Sequence, residues 1–153
     1  MNWFIDFITN PFMITAGSSW LIAQVIKTII HTIIYKKIDF TRLFGDGGMP
    51  SGHSATVTSL AVFAGLEYTF GSFQFAVCAI LAIVVCHDAM GVRLETGKQA
   101  IMINELVNAF EVFSKNDLPE VKLKEFVGHT PIQVITGMII GVANAFLMYT
   151  VLL

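Results

Sequence analysis

A histidine follows a glycine-rich turn and lies near the start of a predicted helix. The segment 47–54 reads Gly-Gly-Met-Pro-Ser-Gly-His-Ser, and Ser51 is a residue type that commonly caps a helix N-terminus. Backbone N–H groups at such a helix start attract anions, which makes Gly48, Ser51 and Gly52 candidate phosphate contacts. His53 is placed to give or take a proton. The pattern predicts an anion site with an acid–base group, and an ordinary capped helix is the simpler alternative.

A second polar group of residues ends the third apolar run of the chain. The segment 87–93 reads His-Asp-Ala-Met-Gly-Val-Arg. The planar guanidinium of Arg93 suits a phosphate, although a simple ion pair with Asp88 is the alternative. His87 and Asp88 are further candidates, but adjacent residues on a helix point in different directions. We therefore predict no metal site and no cofactor.

A third polar group precedes the last apolar run. The segment 128–134 reads Gly-His-Thr-Pro-Ile-Gln-Val. Gln133 follows His129 by one helical turn, so its side chain can bond to the imidazole and fix the tautomer. A histidine at a helix start is more often an ordinary polar residue, so this pair alone indicates only a candidate site.

The elements that must position these groups are membrane helices. The chain has 153 residues, of which 55% are hydrophobic and 13% charged, whereas a soluble domain carries about 25% charged residues. Four stretches approach the roughly 20 apolar residues of a spanning helix: 13–35, 52–70, 72–90 and 131–153. We predict a single domain over residues 1–153, an all-α integral membrane bundle of about four transmembrane helices.

The first of these helices carries polar residues on one face. Gln24, Lys27 and His31 are spaced by three and four residues, which places them together. A charge at membrane depth is costly unless it faces a protein interior or a wet cavity. The alternative is that Lys27 only extends its amine to the membrane surface.

Two further segments are predicted to lie on the membrane as interfacial amphipathic helices. The segment 2–12 is rich in aromatic residues, and the segment 103–115 has Ile103 and Phe110 on its apolar face, with Asn104 largely on the polar one. For the second segment, packing against a partner helix is the alternative.

Small residues recur on the last helix. Gly137, Gly141 and Ala145 form a small-xxx-small series that permits close helix packing, either within the bundle or between subunits. A homo-oligomer through the Gly137/Gly141 face is therefore a possible assembly.

The basic residues predict an orientation. Apart from Lys27 within the first helix, they fall in the loop at 36–42 and in the polar stretch at 93–124, with none near Gly71 or at the chain ends. Since basic loops remain in the cytoplasm, we predict a multi-pass protein of the cell membrane with cytoplasmic polar loops and both termini outside. The net charge of −2 argues against a nucleic-acid partner, because no basic stripe would neutralise phosphates.

Taken together, these segments resemble a known superfamily. Pro-Ser-Gly-His at 50–53 is similar to the central motif of the type-2 phosphatidic acid phosphatases, relatives of the vanadium haloperoxidases. The segment 128–141 resembles the last motif, in which Asp follows His by four residues. More closely, 47–55, 88–100 and 128–141 together resemble the small divergent bacterial branch of that superfamily, over nearly the whole chain.

The resemblance implies a role for each matching residue. His129 matches the nucleophile that forms a phosphohistidine, and His53 matches the group that protonates the leaving oxygen. Arg93 matches the arginine that precedes the nucleophile, with a long insertion between them. The first family motif, a Lys and an Arg followed by Pro, has no clean counterpart. Its charge would come from one of four basic residues: Lys36, Lys37, Arg42 and Lys27.

The function implied is that of a membrane lipid-phosphate phosphatase, a phosphoric ester hydrolase that cleaves a phosphomonoester or pyrophosphate at a cytoplasm-facing site. Its partners would be a lipid phosphate or diphosphate substrate and the membrane lipids. Gln133 stands where the family has an acid, so a catalytically weak or inactive lipid-phosphate binder or carrier is the alternative. A purely structural oligomer, supported by the Gly137/Gly141 face alone, is a third hypothesis.

Overall fold

The chain folds into a bundle of α-helices. The computed structural model describes residues 2–36, 48–114, 123 and 128–152, and these residues contain no strand. The helices are α1 (Trp3–Ile8), α2 (Pro11–Tyr35), α3 (Gly52–Tyr68), α4 (Phe73–Met90), α5 (Val92–Ser114) and α6 (Pro131–Leu152). The all-α fold predicted from the apolar runs is confirmed.

The length and apolarity of the helices fit a membrane protein. Within the described residues, three helical runs are long and apolar enough to cross a bilayer: Pro11–Tyr35, Phe73–Phe110 and Pro131–Leu152. The remaining predicted stretch forms α3, whose 17 residues extend about 25 Å, less than the roughly 30 Å of a hydrocarbon core. The transmembrane helix predicted at 52–70 is therefore a shorter helix, packed between α2, α4 and α6.

Close packing between α3 and α6 depends on the two glycines of the last helix. A β-carbon at Gly137 would collide with the carbonyl oxygen of Ser51, and one at Gly141 would lie 2.5 Å from the carbonyl oxygen of Ala55. The small-residue series therefore brings two backbones together within the bundle. The second alternative, contact between copies of the chain, stays a prediction.

The helices α3 and α6 run parallel. Near their starts, the N–H of Ser51 donates to the carbonyl oxygen of Gln133 at 3.0 Å. Near their ends, the rings of Phe63 and Tyr149 pack edge to face with centroids 6.0 Å apart. Both N-termini consequently lie at the same end of the bundle.

The helices α2 and α4 run antiparallel to that pair. The ring of Phe12, at the start of α2, packs against Phe63 near the end of α3, at a centroid distance of 5.0 Å. Lys27, farther along α2, lies beside Gly48 ahead of α3. The last turn of α4 reaches the start of α6, where the N–H of His129 donates to the carbonyl oxygen of Ala89 at 3.0 Å.

A cluster of buried hydrogen bonds joins α2 to α6. The side-chain amide of Asn144 donates to Ser19 Oγ at 2.8 Å, to Ser18 Oγ at 2.9 Å and to the carbonyl oxygen of Thr15 at 3.1 Å. Polar bonds between membrane helices hold their register, because hydrocarbon offers no competing partner. The sequence analysis did not single out Asn144.

The predicted polar face of α5 needs one correction. Asn104 is buried, and its side-chain amide makes two bonds with the backbone of Leu123, to the carbonyl oxygen at 3.0 Å and from the N–H at 3.1 Å. A tertiary contact, which periodicity does not reveal, turns this residue inward. Ile103, Leu106 and Phe110 on the apolar face are exposed, and the interfacial position of α5 stays a prediction.

Candidate functional site

Main-chain contacts bring the three polar segments to one end of the bundle. Ser51 bonds to Gln133, and His129 bonds to Ala89, through backbone atoms at 3.0 Å in both cases. A β-carbon at Gly128, whose φ is +90°, would lie 2.5 Å from the carbonyl carbon of Arg93. Only glycine combines that φ with so close an approach.

The imidazole of His129 is oriented by Gln133. Gln133 Oε1 lies 3.2 Å from His129 Nδ1 and also accepts the N–H of Thr130 at 3.1 Å. Because the amide oxygen faces two nitrogens, it acts as acceptor towards both, which assigns the imidazole proton to Nδ1. His129 Nε2 then carries the lone pair, as a nucleophile requires. The expected bond is present, and Thr130 is an addition that the sequence analysis missed.

His53 lies across from His129. It is the second residue of α3, its side chain is exposed, and the two ring centroids are 6.5 Å apart with the planes inclined at 57°. An attacking atom approaches within about 3–3.5 Å, and a proton donor sits about 2.6–3.2 Å from its acceptor. The two imidazoles are therefore close enough in the fold to be considered as partners acting on one phosphoryl group.

The predicted phosphate loop is the segment 48–52, and its Ser51 has a structural role. The hydroxyl of Ser51 is buried, where it accepts the N–H of Ser54 at 3.3 Å and lies 3.0 Å from the Ser54 hydroxyl. Its own N–H already bonds to Gln133. Ser51 thus caps α3 and fastens it to α6, and the N-terminus of α3 retains its partial positive charge.

One lysine lies against the phosphate loop. Lys27 is only 6% exposed, and a β-carbon at Gly48, whose φ is +83°, would be 3.6 Å from its Cγ and Cδ atoms. Lys27 is therefore buried within the protein. Lys36 is exposed at the end of α2, about 13 Å farther along the helix. Lys37 and Arg42 lie outside the described residues.

A tryptophan that the sequence analysis missed also packs against this loop, at Gly52. A β-carbon at Gly52 would lie 3.3 Å from Cδ1 of Trp20. Trp20, Gln24 and Lys27 are spaced by four and three residues, so they share one face of α2. The spacing was visible in the sequence, although an apolar ring was not an obvious part of a polar stripe.

Arg93 is held by Asp88. Its Nε donates to Asp88 Oδ2 at 2.8 Å, and both side chains are about half exposed. This is the ion pair that was the alternative interpretation. The two terminal nitrogens at the outer edge of the guanidinium are further donors. His87 is exposed on the preceding turn.

Comparisons with known proteins show what the whole chain is similar to. A family model described as the divergent PAP2 family matches residues 8–144. The uncharacterized membrane protein YuiD of Bacillus subtilis (strain 168) is 40% identical over 147 residues, which cover 90% of this chain and 93% of that protein. No solved structure matches the chain.

Proposed function

The chain belongs to the divergent PAP2 family, and from that premise we propose that it hydrolyses a lipid phosphate, at a phosphomonoester or pyrophosphate bond, on the cytoplasmic side of the membrane. The observation that carries the proposal is the hydrogen bond between His129 and Gln133, together with the distance of 6.5 Å between the ring centroids of His129 and His53. A histidine fixed in one tautomer opposite a second histidine provides a nucleophile and an acid.

Binding would come first. The phosphate oxygens would contact Lys27, the outer edge of Arg93 and the N-termini of α3 and α6. Charge-assisted bonds of this kind are among the stronger polar contacts in proteins, and two parallel helix N-termini add partial positive charge at one point.

Two transfer steps would follow. His129 Nε2 attacks phosphorus and forms an N–P bond while the bond from phosphorus to the lipid oxygen breaks, and protonated His53 gives its proton to that oxygen. A water molecule then attacks the phosphohistidine and loses a proton to His53. The N–P bond breaks, inorganic phosphate leaves, and both histidines return to their starting states.

The second candidate function is a lipid-phosphate binder or carrier with little turnover. The neutral amide of Gln133 favours it, because an amide orients the imidazole without stabilising the cation that develops during attack. The same anion site would then hold the lipid without cleaving it.

A trapping experiment separates the two candidates. The purified protein in lipid micelles is given a lipid phosphate with a radiolabelled phosphoryl group and quenched with base, in which phosphohistidine survives. We expect label on the chain and release of inorganic phosphate, loss of both in His129→Ala, and much slower labelling and phosphate release in His53→Ala. Lipid binding by the wild-type protein without label or phosphate release would establish the carrier instead.

A further inference from the structure

One buried polar atom beside the site has no role in the mechanism above. Gln24 lies between Trp20 and Lys27 on the same face of α2, about 6 Å along the helix from the first and about 4.5 Å from the second. Those two neighbours lie against Gly52 and Gly48. Gln24 therefore starts from the face of α2 that packs against these two glycines.

The amide oxygen of Gln24 lacks a partner. Only 5% of the residue is exposed, and Oε1 is buried without a hydrogen-bond partner among the described residues. Buried polar atoms are nearly always paired, so an exception beside a candidate site indicates a ligand contact. A carbonyl oxygen accepts and does not donate. Its missing partner must therefore be a donor.

A doubly ionised phosphate cannot be that donor, because its oxygens only accept hydrogen bonds. The donor must come from another part of the substrate, close to the phosphate. In a lipid headgroup, a hydroxyl on the carbon next to the phosphate-bearing carbon meets this need. A glycerol phosphate headgroup has such a hydroxyl, whereas phosphatidic acid carries an ester at that carbon and a polyprenyl phosphate has only hydrocarbon there.

We infer that Gln24 is a specificity residue that accepts a hydrogen bond from a headgroup hydroxyl, and that the substrate class is lipid phosphates with a free hydroxyl beside the phosphate. The inference rests on the proposed function for its site. A position built to bond a hydroxyl discriminates strongly against an analogue that lacks it, because the buried acceptor is then left unpaired.

The test compares two lipids. Phosphate release from phosphatidylglycerol phosphate and from phosphatidic acid is measured in mixed micelles for the wild type, for Gln24→Met and for the control Gln74→Met. Gln74 is exposed in the first turn of α4, at the other end of the bundle. We expect the wild type and the control to favour the hydroxyl lipid in kcat/KM, and Gln24→Met to reduce that preference about tenfold or more by losing activity on the hydroxyl lipid.

The ratio of the two kcat/KM values does not depend on how much of a variant folds. An unchanged ratio in Gln24→Met overturns the inference. So does an equal loss on both lipids, because the amide would then serve the phosphate itself.

Absence of turnover on either lipid would defeat the proposed function without deciding the inference, so binding is measured as well. Both lipids are titrated into His129→Ala, with and without Gln24→Met. Tighter binding of the hydroxyl lipid that disappears with Gln24→Met supports the inference for a carrier. Equal binding of both lipids by His129→Ala overturns it.

Discussion

The backbone N–H of Ser51 donates to the carbonyl oxygen of Gln133 at 3.0 Å. Through this bond the helix that carries His53 starts beside the helix that follows His129. The side chain of Gln133 is meanwhile engaged with the imidazole of His129. One residue thus joins two helices with its main chain and orients the imidazole of His129 with its side chain, so the two roles can be separated by mutation.

Replacing Gln133 by Glu is expected to raise phosphatase activity by about tenfold or more, since each 1.36 kcal/mol removed from the barrier gives a factor of ten. The carboxylate would keep the bond to His129 Nδ1 and add charge that stabilises the developing cation. Gln133→Leu should lower activity by removing the bond. The measurement is kcat for phosphate release from a lipid phosphate. An unchanged rate in Gln133→Glu, where His129→Ala is inactive, would show that Gln133 does not orient the nucleophile.

The acid role proposed for His53 predicts a dependence on the leaving group. His53→Ala should slow release of a lipid alkoxide by about 10²–10⁴-fold, and much less for an aryl phosphate whose leaving group needs no proton. The measurement is kcat/KM over a series of leaving groups with falling pKa. An equal loss across the series would instead assign His53 to binding.

Lys27 and Lys36 form a matched pair on one helix. Lys27→Met should raise KM for a lipid phosphate by about tenfold or more, because a hydrogen bond to a charged group contributes about 1.5–3 kcal/mol. Lys36→Met should change KM little, since that side chain is exposed at the helix end. Steady-state kinetics in mixed micelles compares them. Similar effects from both variants would place the phosphate nearer the end of α2.

The contact between Gly141 and Ala55 predicts a loss of stability on substitution. Gly141→Val places atoms against the backbone of α3, and forced overpacking costs about 1–3 kcal/mol or more. Ala143→Val is the control, because Ala143 is exposed on the same helix. Thermal unfolding in detergent, followed by circular dichroism, should show a lower Tm for Gly141→Val alone. Equal Tm values would mean that α3 and α6 can separate slightly without loss of thermal stability.

The orientation of the chain is tested by labelling single cysteines after Cys78 and Cys86 are replaced by Ala. A cysteine at Gly71 should react with an impermeant reagent added to intact cells, and a cysteine at Lys37 should react only after permeabilisation. The basis is the location of basic residues in the loops at 36–42 and 93–124. The reverse pattern would put the site on the outer face of the membrane.

The extents of the bundle helices were predictable because the length of an apolar run is a property of the chain alone. The predicted stretch 131–153 became α6 (Pro131–Leu152), and 72–90 became α4 (Phe73–Met90). The bond from Gln133 to His129 was predictable for the same reason, since both residues lie within one helical turn.

Contacts between distant segments were not predictable from one sequence. Periodicity placed Asn104 largely on a polar face, yet it bonds to the backbone of Leu123. The hydrogen bond from Asn144 to Ser19, which are 125 residues apart, has no signal in the local sequence either. Such pairs depend on the relative rotation of helices, which the packing of the whole bundle decides.

The main-chain bonds between the segments have a consequence for how this protein can evolve. Every residue has a carbonyl oxygen, and every residue except proline has an N–H, so the bonds of Ser51 to Gln133 and of His129 to Ala89 do not depend on which side chains occupy those positions. A lineage can therefore exchange the chemical groups around the two histidines while their separation is maintained. Inheritance of the framework and inheritance of the chemistry are in this way uncoupled.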